Sequence, residues 1–169
     1  MKKPWFLGGI QRCGGGAKPQ PPHLRFSSPQ VKRVLFLCSH NSARSQMAEG
    51  LLRWLGGDSY EALSAGTRAT QVRPEAVAVM REIGVDIGGQ SSKSLDRYLP
   101  EEIDVVVTVC DEANEECPVF LNARRRMHWS IDDPARAGGT EAERLSAFRK
   151  ARDNLRNRIE AELLGMPLR

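Results

Sequence analysis

Apolar positions along this chain alternate between two periods. Val34-Leu35-Phe36-Leu37 is an unbroken apolar run ending at Cys38, as expected of a strand buried on both faces. From Ser45 the apolar residues recur at three and four, at Met47, Ala48, Leu51, Leu52 and Leu55, and stop at Gly56-Gly57. That spacing predicts a helix. Tyr60-Glu-Ala-Leu63 reads as a second strand. Pro74 opens a helix with Ala76, Val77, Val79, Met80 and Ile83 on one face, ended by Gly84. Val105–Val109 is the strongest strand in the chain, and Met127–Ile131 is expected to be a fourth. Thr140-Glu-Ala-Glu143 matches a capping box and opens a long last helix through Leu145, Phe148, Ala151, Leu155, Ile159 and Leu163.

Strands alternating with helices predict an α/β fold, a four-stranded parallel open sheet flanked by helices on both faces. In such sheets function collects at the carboxyl ends of the strands, beside helix N-termini. Cys38, Cys110 and the segment after Ile131 all fall there.

Composition changes this picture at one end. The chain has 169 residues, 40% hydrophobic and 27% charged, enough for one domain with a substantial core. Residues 1–30 hold five of the ten prolines and five of the fifteen glycines, with Gly14-Gly-Gly16 and Pro19-Gln-Pro21-Pro22. Such a stretch buries too little apolar surface to offset its ordering entropy, so it is expected to be a disordered tail, with residues 31–169 as the single folded domain. Cys13 falls in the tail, and no role is assigned to it. The net charge is +4, and the tail alone carries +5 from Lys2, Lys3, Arg12, Lys18 and Arg25, which leaves −1 for the rest. A body of that charge has no basic surface for gripping nucleic acid. No apolar run approaches the roughly 18 residues that cross a bilayer. The apolar stretch behind Met1-Lys2-Lys3 is too short for an export signal, so a cytoplasmic protein is expected.

The segment carrying the chemistry is Cys38-Ser39-His40-Asn41-Ser42-Ala43-Arg44-Ser45, between strand and helix. A loop of this length can wrap a tetrahedral oxyanion, with backbone N–H groups from Ser39 to Arg44 pointing inward and the positive end of the helix behind them. Arg44 supplies a fork matched to two oxygens. In that field the Cys38 thiolate is favoured, and its pKa is expected below the free value of about 8.5. The hydroxyl of Ser45 or of Ser42 can donate to the sulfur, and Asn41 tolerates left-handed backbone. The plain alternative is a buried cysteine at a strand end with an unrelated arginine. The flanking strand and helix, with Asn and two serines in place, argue against it.

This segment resembles the phosphate-binding loop of the low-molecular-weight protein tyrosine phosphatase family. Arg44-Ser-Gln-Met-Ala-Glu49-Gly50 makes it similar to the thioredoxin-coupled arsenate reductase branch, and the resemblance runs from about Val31 to about Leu164. It implies that Asp133, in Asp132-Asp133-Pro134, is a general acid over the oxyanion site, leaving Asp132 as a turn or capping residue. By itself Asp-Asp-Pro is ordinary turn chemistry. Ala135-Arg136-Ala137-Gly138 follows, without the aromatic residues that phosphatases of the family usually carry there.

A phosphatase needs one thiol, and this chain has two more in Cys110-Asp-Glu-Ala-Asn-Glu-Glu-Cys117-Pro118. By residue type alone these are an apolar filler and a surface thiol, or zinc ligands, though no close cysteine pair is present and His40 and His128 lack ligand spacing. The resemblance instead implies a relay. Cys38 attacks arsenate, a transient Cys38–Cys110 disulfide releases arsenite, and a transient Cys110–Cys117 disulfide is reduced by thioredoxin.

The expected partners are arsenate, with phosphate or sulfate as mimics, and thioredoxin as electron donor. Nucleic acid, membrane and a tightly bound cofactor are not expected, and the chain is expected to act as a monomer. Some relatives hold a monovalent cation behind the loop. Asn41, Glu49 and Ser64 match three of its ligands, while Lys93 stands at the fourth, acidic position, where its ammonium can replace the ion and pair with Glu49. Two other functions compete: a tyrosine phosphatase whose extra cysteines only protect Cys38, and a redox- or arsenic-sensing binding module without turnover.

Overall fold

The computed structural model describes residues 30–111, 113 and 123–165. Nearly all of the tail expected over residues 1–30, and Cys117, lie outside the described residues. Four strands, β1 (Lys32–Cys38), β2 (Tyr60–Gly66), β3 (Ile103–Thr108) and β4 (Ala123–His128), form one sheet in the order β2-β1-β3-β4, with every pairing parallel. The register sets Cys38 opposite Gly66, Leu37 opposite Thr108, and Thr108 opposite His128. All four carboxyl ends therefore meet along one edge.

The apolar runs of β1 and β3 feed both faces of this sheet, because successive side chains point to opposite sides. Val34, Phe36, Val105 and Val107 join one core with Met47, Leu51, Ala76, Val79, Met80, Phe148 and Leu155. That core is closed by α1 (Arg44–Gly56), α2 (Pro74–Arg81) and α3 (Glu141–Arg158), which packs against both other helices. Leu35, Leu37 and Val106 point the other way, onto Leu95 and Tyr98 of a single 3-10 turn, Leu95–Tyr98. The helices α1, α2 and α3 thus share one face, and among the described residues the second face is covered by that short turn.

Proline at the first position starts α2, and the capping box of α3 forms as its sequence predicts: the Thr140 hydroxyl accepts from Glu143 N–H, and the Glu143 carboxylate accepts from Thr140 N–H. The helix continues in wider π-type winding over Ile159–Leu164, where Leu163 O accepts from the Tyr60 hydroxyl at 2.9 Å.

The fourth strand departs from expectation. It is Ala123–His128, not Met127–Ile131, and it carries three consecutive arginines. An edge strand needs one ladder of hydrogen bonds and keeps a wet outer side, so its apolar content is low and charge on it is tolerated. Trp129 and Ile131 are buried, but they lie beyond the strand, in the chain that crosses toward the site.

Candidate active site

The loop after β1 is held open by its own carbonyls. Ser39 O accepts from Arg68 N–H at 2.8 Å, His40 O from Thr70 N–H at 3.1 Å, Ser42 O from Arg73 N–H at 2.8 Å, and Ala43 O from Met47 N–H at 2.9 Å. Asn41 O is reached by the Ser92 hydroxyl at 2.9 Å. Every carbonyl from Ser39 to Ala43 is thus turned outward onto a neighbouring segment. The amides are the polar groups left to line the concave side, which is what binding an anion requires. Asn41 makes the tight bend possible at φ +48°. Gly66, at the end of β2, lets the loop lie close: a Cβ there would stand 2.8 Å from both Asn41 N and Ser39 O.

Cys38 sits at the base of the bowl, 3% exposed. Its sulfur accepts from Asn41 N–H at 3.2 Å and lies 2.9 Å from the Ser45 hydroxyl. Of the two candidate serines, Ser45 is therefore the one at the sulfur, while Ser42 lines the cavity. Ser45 Oγ itself accepts from Asn41 Nδ2 at 2.8 Å, which leaves its own proton for the sulfur. Behind it, Asn41 Nδ2 also donates to Ser64 Oγ at 2.9 Å, and Ser64 donates to Glu49 Oε2 at 2.5 Å. Lys93 Nζ closes the chain on the same carboxylate oxygen at 3.1 Å, the pairing that the family resemblance suggested.

Asn41 Oδ1 accepts from Lys93 N–H at 2.7 Å and from Gln46 Nε2 at 2.9 Å, and Glu49 Oε1 from Arg53 at 2.6 Å. The oxygens matching a monovalent cation site are thus already engaged by N–H and O–H donors. The residues present do not fit such an ion.

Arg44 is buried, with Nη1 donating to Ile131 O at 2.8 Å and Nη2 3.4 Å from Asp133 Oδ2. The chain leaving Trp129 thereby brings Asp133 over the bowl. The turn assignment needs correcting: Asp133, not Asp132, caps the 3-10 turn Pro134–Arg136, its carboxylate accepting from Ala135 N–H at 3.1 Å, while Asp132 is exposed. Capping and a place at the site are combined in one residue.

Cys38, His40, Ser42, Ala43, Arg44, Asp133, Arg73 and Arg136 enclose an open cavity of about 500 Å³, with Thr70 to Val72, Pro74 and Ala135 completing its wall. None of these is Phe, Tyr or Trp. The two arginines of the rim, Arg73 and Arg136, were not anticipated. Cys110, 1% exposed, lies on the neighbouring strand end, its sulfur 3.6 Å from Ser39 Oγ and accepting from Ala113 N–H at 3.4 Å. Ser39 is the residue next to Cys38, so the second thiol borders the loop that carries the first. The resemblance implied that Cys110 lies near Cys38, but the contact with Ser39 itself is not carried by any spacing in the sequence.

Comparison with known proteins gives the same frame. The arsenate reductase of Halalkalibacterium halodurans is 45% identical over 129 residues, covering 76% of this chain and 93% of its own length. That of Bacillus subtilis is 43% identical over the same extent. Among solved structures, an arsenate reductase in the phosphate binding state superposes with a TM-score of 0.67 at 33% identity, over 76% of this chain and 94% of that one. The arginine phosphatase of Geobacillus stearothermophilus follows with a TM-score of 0.61 at 26% identity, over 76% and 88%. Residues 33–165 match the low molecular weight phosphotyrosine protein phosphatase family, and the chain belongs to it.

Proposed function

We propose that this chain reduces arsenate to arsenite by a three-cysteine relay regenerated by thioredoxin. The observation that carries the reading is a second buried thiol, Cys110, against the oxyanion loop, 3.6 Å from Ser39 Oγ. Hydrolysis of a phosphate ester has no use for it. The cavity wall supports the same choice, since none of the described residues that line it is a Phe, Tyr or Trp that could stack a phenyl ring.

Arsenate enters the bowl against the loop amides and Arg44. The anion competes with Asp133 for Arg44 and leaves that carboxyl beside the departing oxygen. The Cys38 thiolate forms an S–As bond while one oxygen leaves as water, its proton delivered from Asp133. Cys110, as thiolate, then attacks the Cys38 sulfur. The S–As bond breaks with its electron pair going to arsenic, so As(V) becomes As(III), arsenite departs, and the two sulfurs are oxidised to a disulfide. Cys117 attacks Cys110 and frees the Cys38 thiolate, leaving a Cys110–Cys117 disulfide for the thioredoxin dithiol to reduce. All three sulfurs belong to one chain, so a monomer suffices. The cycle needs them as thiols between turnovers, which suits a reducing cytoplasm. None of the helices among the described residues is long and apolar enough to cross a membrane.

The test compares two assays on one preparation: arsenate-dependent NADPH oxidation with thioredoxin and its reductase, and hydrolysis of an aryl phosphate. Arsenate turnover that is lost in both Cys110→Ser and Cys117→Ser is expected. Efficient aryl phosphate hydrolysis that survives both substitutions, without arsenate turnover, overturns the reading in favour of a phosphatase.

A further inference from the structure

Cys110 cannot act at the right place unless its backbone is held there, and the chain is fastened on both sides of it. On the N-terminal side, Val109 N–H donates to Leu37 O at 2.8 Å, one residue before Cys38, and Thr108 O accepts from Trp129 N–H at 2.8 Å. On the C-terminal side the fastening is made by side chains. Asp111 Oδ1 lies 2.9 Å from His128 Nε2, and Asp111 Oδ2 accepts from the Ser130 hydroxyl at 3.2 Å. His128 Nδ1 in turn lies 2.8 Å from the Thr108 hydroxyl. A carboxylate accepts only, so Nε2 carries the proton, and in the neutral ring Nδ1 accepts from Thr108. Side chains from the ends of β3 and β4 thus close a ring around the one residue between them that carries a thiol.

We propose that Asp111 and His128 are positioning residues for the second chemical step, a clasp that aims Cys110 at Cys38. The proposal rests on the arsenate reductase reading and adds to it two residues outside the oxyanion bowl. Asp111 is 66% exposed and His128 34%, and a side-chain pair that open to solvent contributes little to global stability. Its loss therefore leaves the fold and the bowl in place while freeing the Cys110 backbone. Positioning is the term that a small displacement degrades: a sulfur that must meet another sulfur in line loses rate steeply when its mean place shifts by a fraction of an ångström.

The experiment uses the full chain in a Cys117→Ser background, where the relay stops after one turnover. Asp111→Ala and His128→Ala are added singly and together. Arsenite release and the Cys38–Cys110 disulfide are followed by quench and mass spectrometry, phosphate affinity by calorimetry, and the alkylation rate of Cys38 by iodoacetate. Each single variant should slow arsenite release by about tenfold, with phosphate affinity and Cys38 alkylation unchanged and the double variant no slower than either single one. Unchanged release in both single variants overturns the clasp, as does slowing that multiplies in the double variant. So does a parallel loss of phosphate affinity, which would mark a general structural role.

If the Cys117→Ser background releases no arsenite, the functional reading fails instead. The clasp is then read by hydrogen peroxide, which converts Cys38 to a sulfenic acid that Cys110 attacks with loss of water. Disulfide formation slowed about tenfold supports the clasp in that arm, and equal rates overturn it.

Discussion

Replacing Lys93 with methionine tests the hydrogen-bonded chain behind Cys38. Lys93 Nζ lies 3.1 Å from Glu49 Oε2 and donates to Ser91 O at the same distance, with side chains 14% and 6% exposed for Lys93 and Glu49. Removing one partner of a fully buried pair costs about 3–5 kcal/mol, because a charge is left without compensation. Here Arg53 still reaches Glu49 Oε1 at 2.6 Å, but from a position 57% exposed, where an ion pair contributes little. A loss below that range, about 2 kcal/mol, is expected for Lys93→Met. For a domain of this size that lowers Tm by about 6 °C.

The void left beside Glu49 and Ser64 would be lined by oxygens and the size of a lost ammonium, so the variant should gain a response to potassium that the parent lacks. At ten times its dissociation constant the ion would return about 1.4 kcal/mol, or roughly 4 °C. Thermal unfolding followed by tryptophan fluorescence in potassium chloride and in choline chloride at equal ionic strength separates the two proteins. A Tm change below about 1 °C, or equal rescue by both salts, refutes the argument.

Three further outcomes follow from the same structure. Gly66→Ala places a Cβ 2.8 Å from Asn41 N and Ser39 O, so the loop must move; about 1–3 kcal/mol of stability should be lost with weaker phosphate binding in calorimetry, and an unaltered affinity would show that the close approach is not needed. Arg44→Lys loses the fork that reaches Ile131 O and Asp133, and phosphate affinity should fall about 30- to 100-fold with the fold intact by circular dichroism. Glu82 is held below its ordinary value of 4.5 chiefly by hydrogen bonds from Arg149, so its contribution is present above that value and is lost as the pH falls through the lower folded-state value. Glu82→Gln should flatten the acid limb of a urea-stability profile; an unchanged slope below pH 4.5 counts against this.

Much of the frame was legible in the residues. Val34–Leu37 and Val105–Val109 are apolar without alternation because both faces of β1 and β3 are covered, and that pattern is local. The capping box and the proline start are local too. Ala-Arg-Arg-Arg-Met-His was missed as a strand because an edge position is a property of the sheet, invisible in the segment itself. At the site, the Cys38–Arg44 spacing marks the loop, and the family resemblance placed Lys93 where it could pair with Glu49. The contact of Ser39 with Cys110 and the ring of Asp111, His128 and Thr108 join residues 71, 17 and 20 places apart. Only the parallel register brings them together. The resemblance pointed to Asp133 for the site, whereas its second task of capping the turn depends on which carboxylate faces the Ala135 amide, which two adjacent aspartates do not reveal.

The outward commitment of five successive loop carbonyls has a consequence for selectivity. A receptor already fixed in shape recognises tetrahedral geometry and negative charge, and it cannot register whether the central atom is phosphorus or arsenic. Phosphate is therefore expected to act as a simple competitor for the bowl. Discrimination is postponed until after capture: only an occupant whose centre accepts two electrons moves forward, and the other departs unchanged.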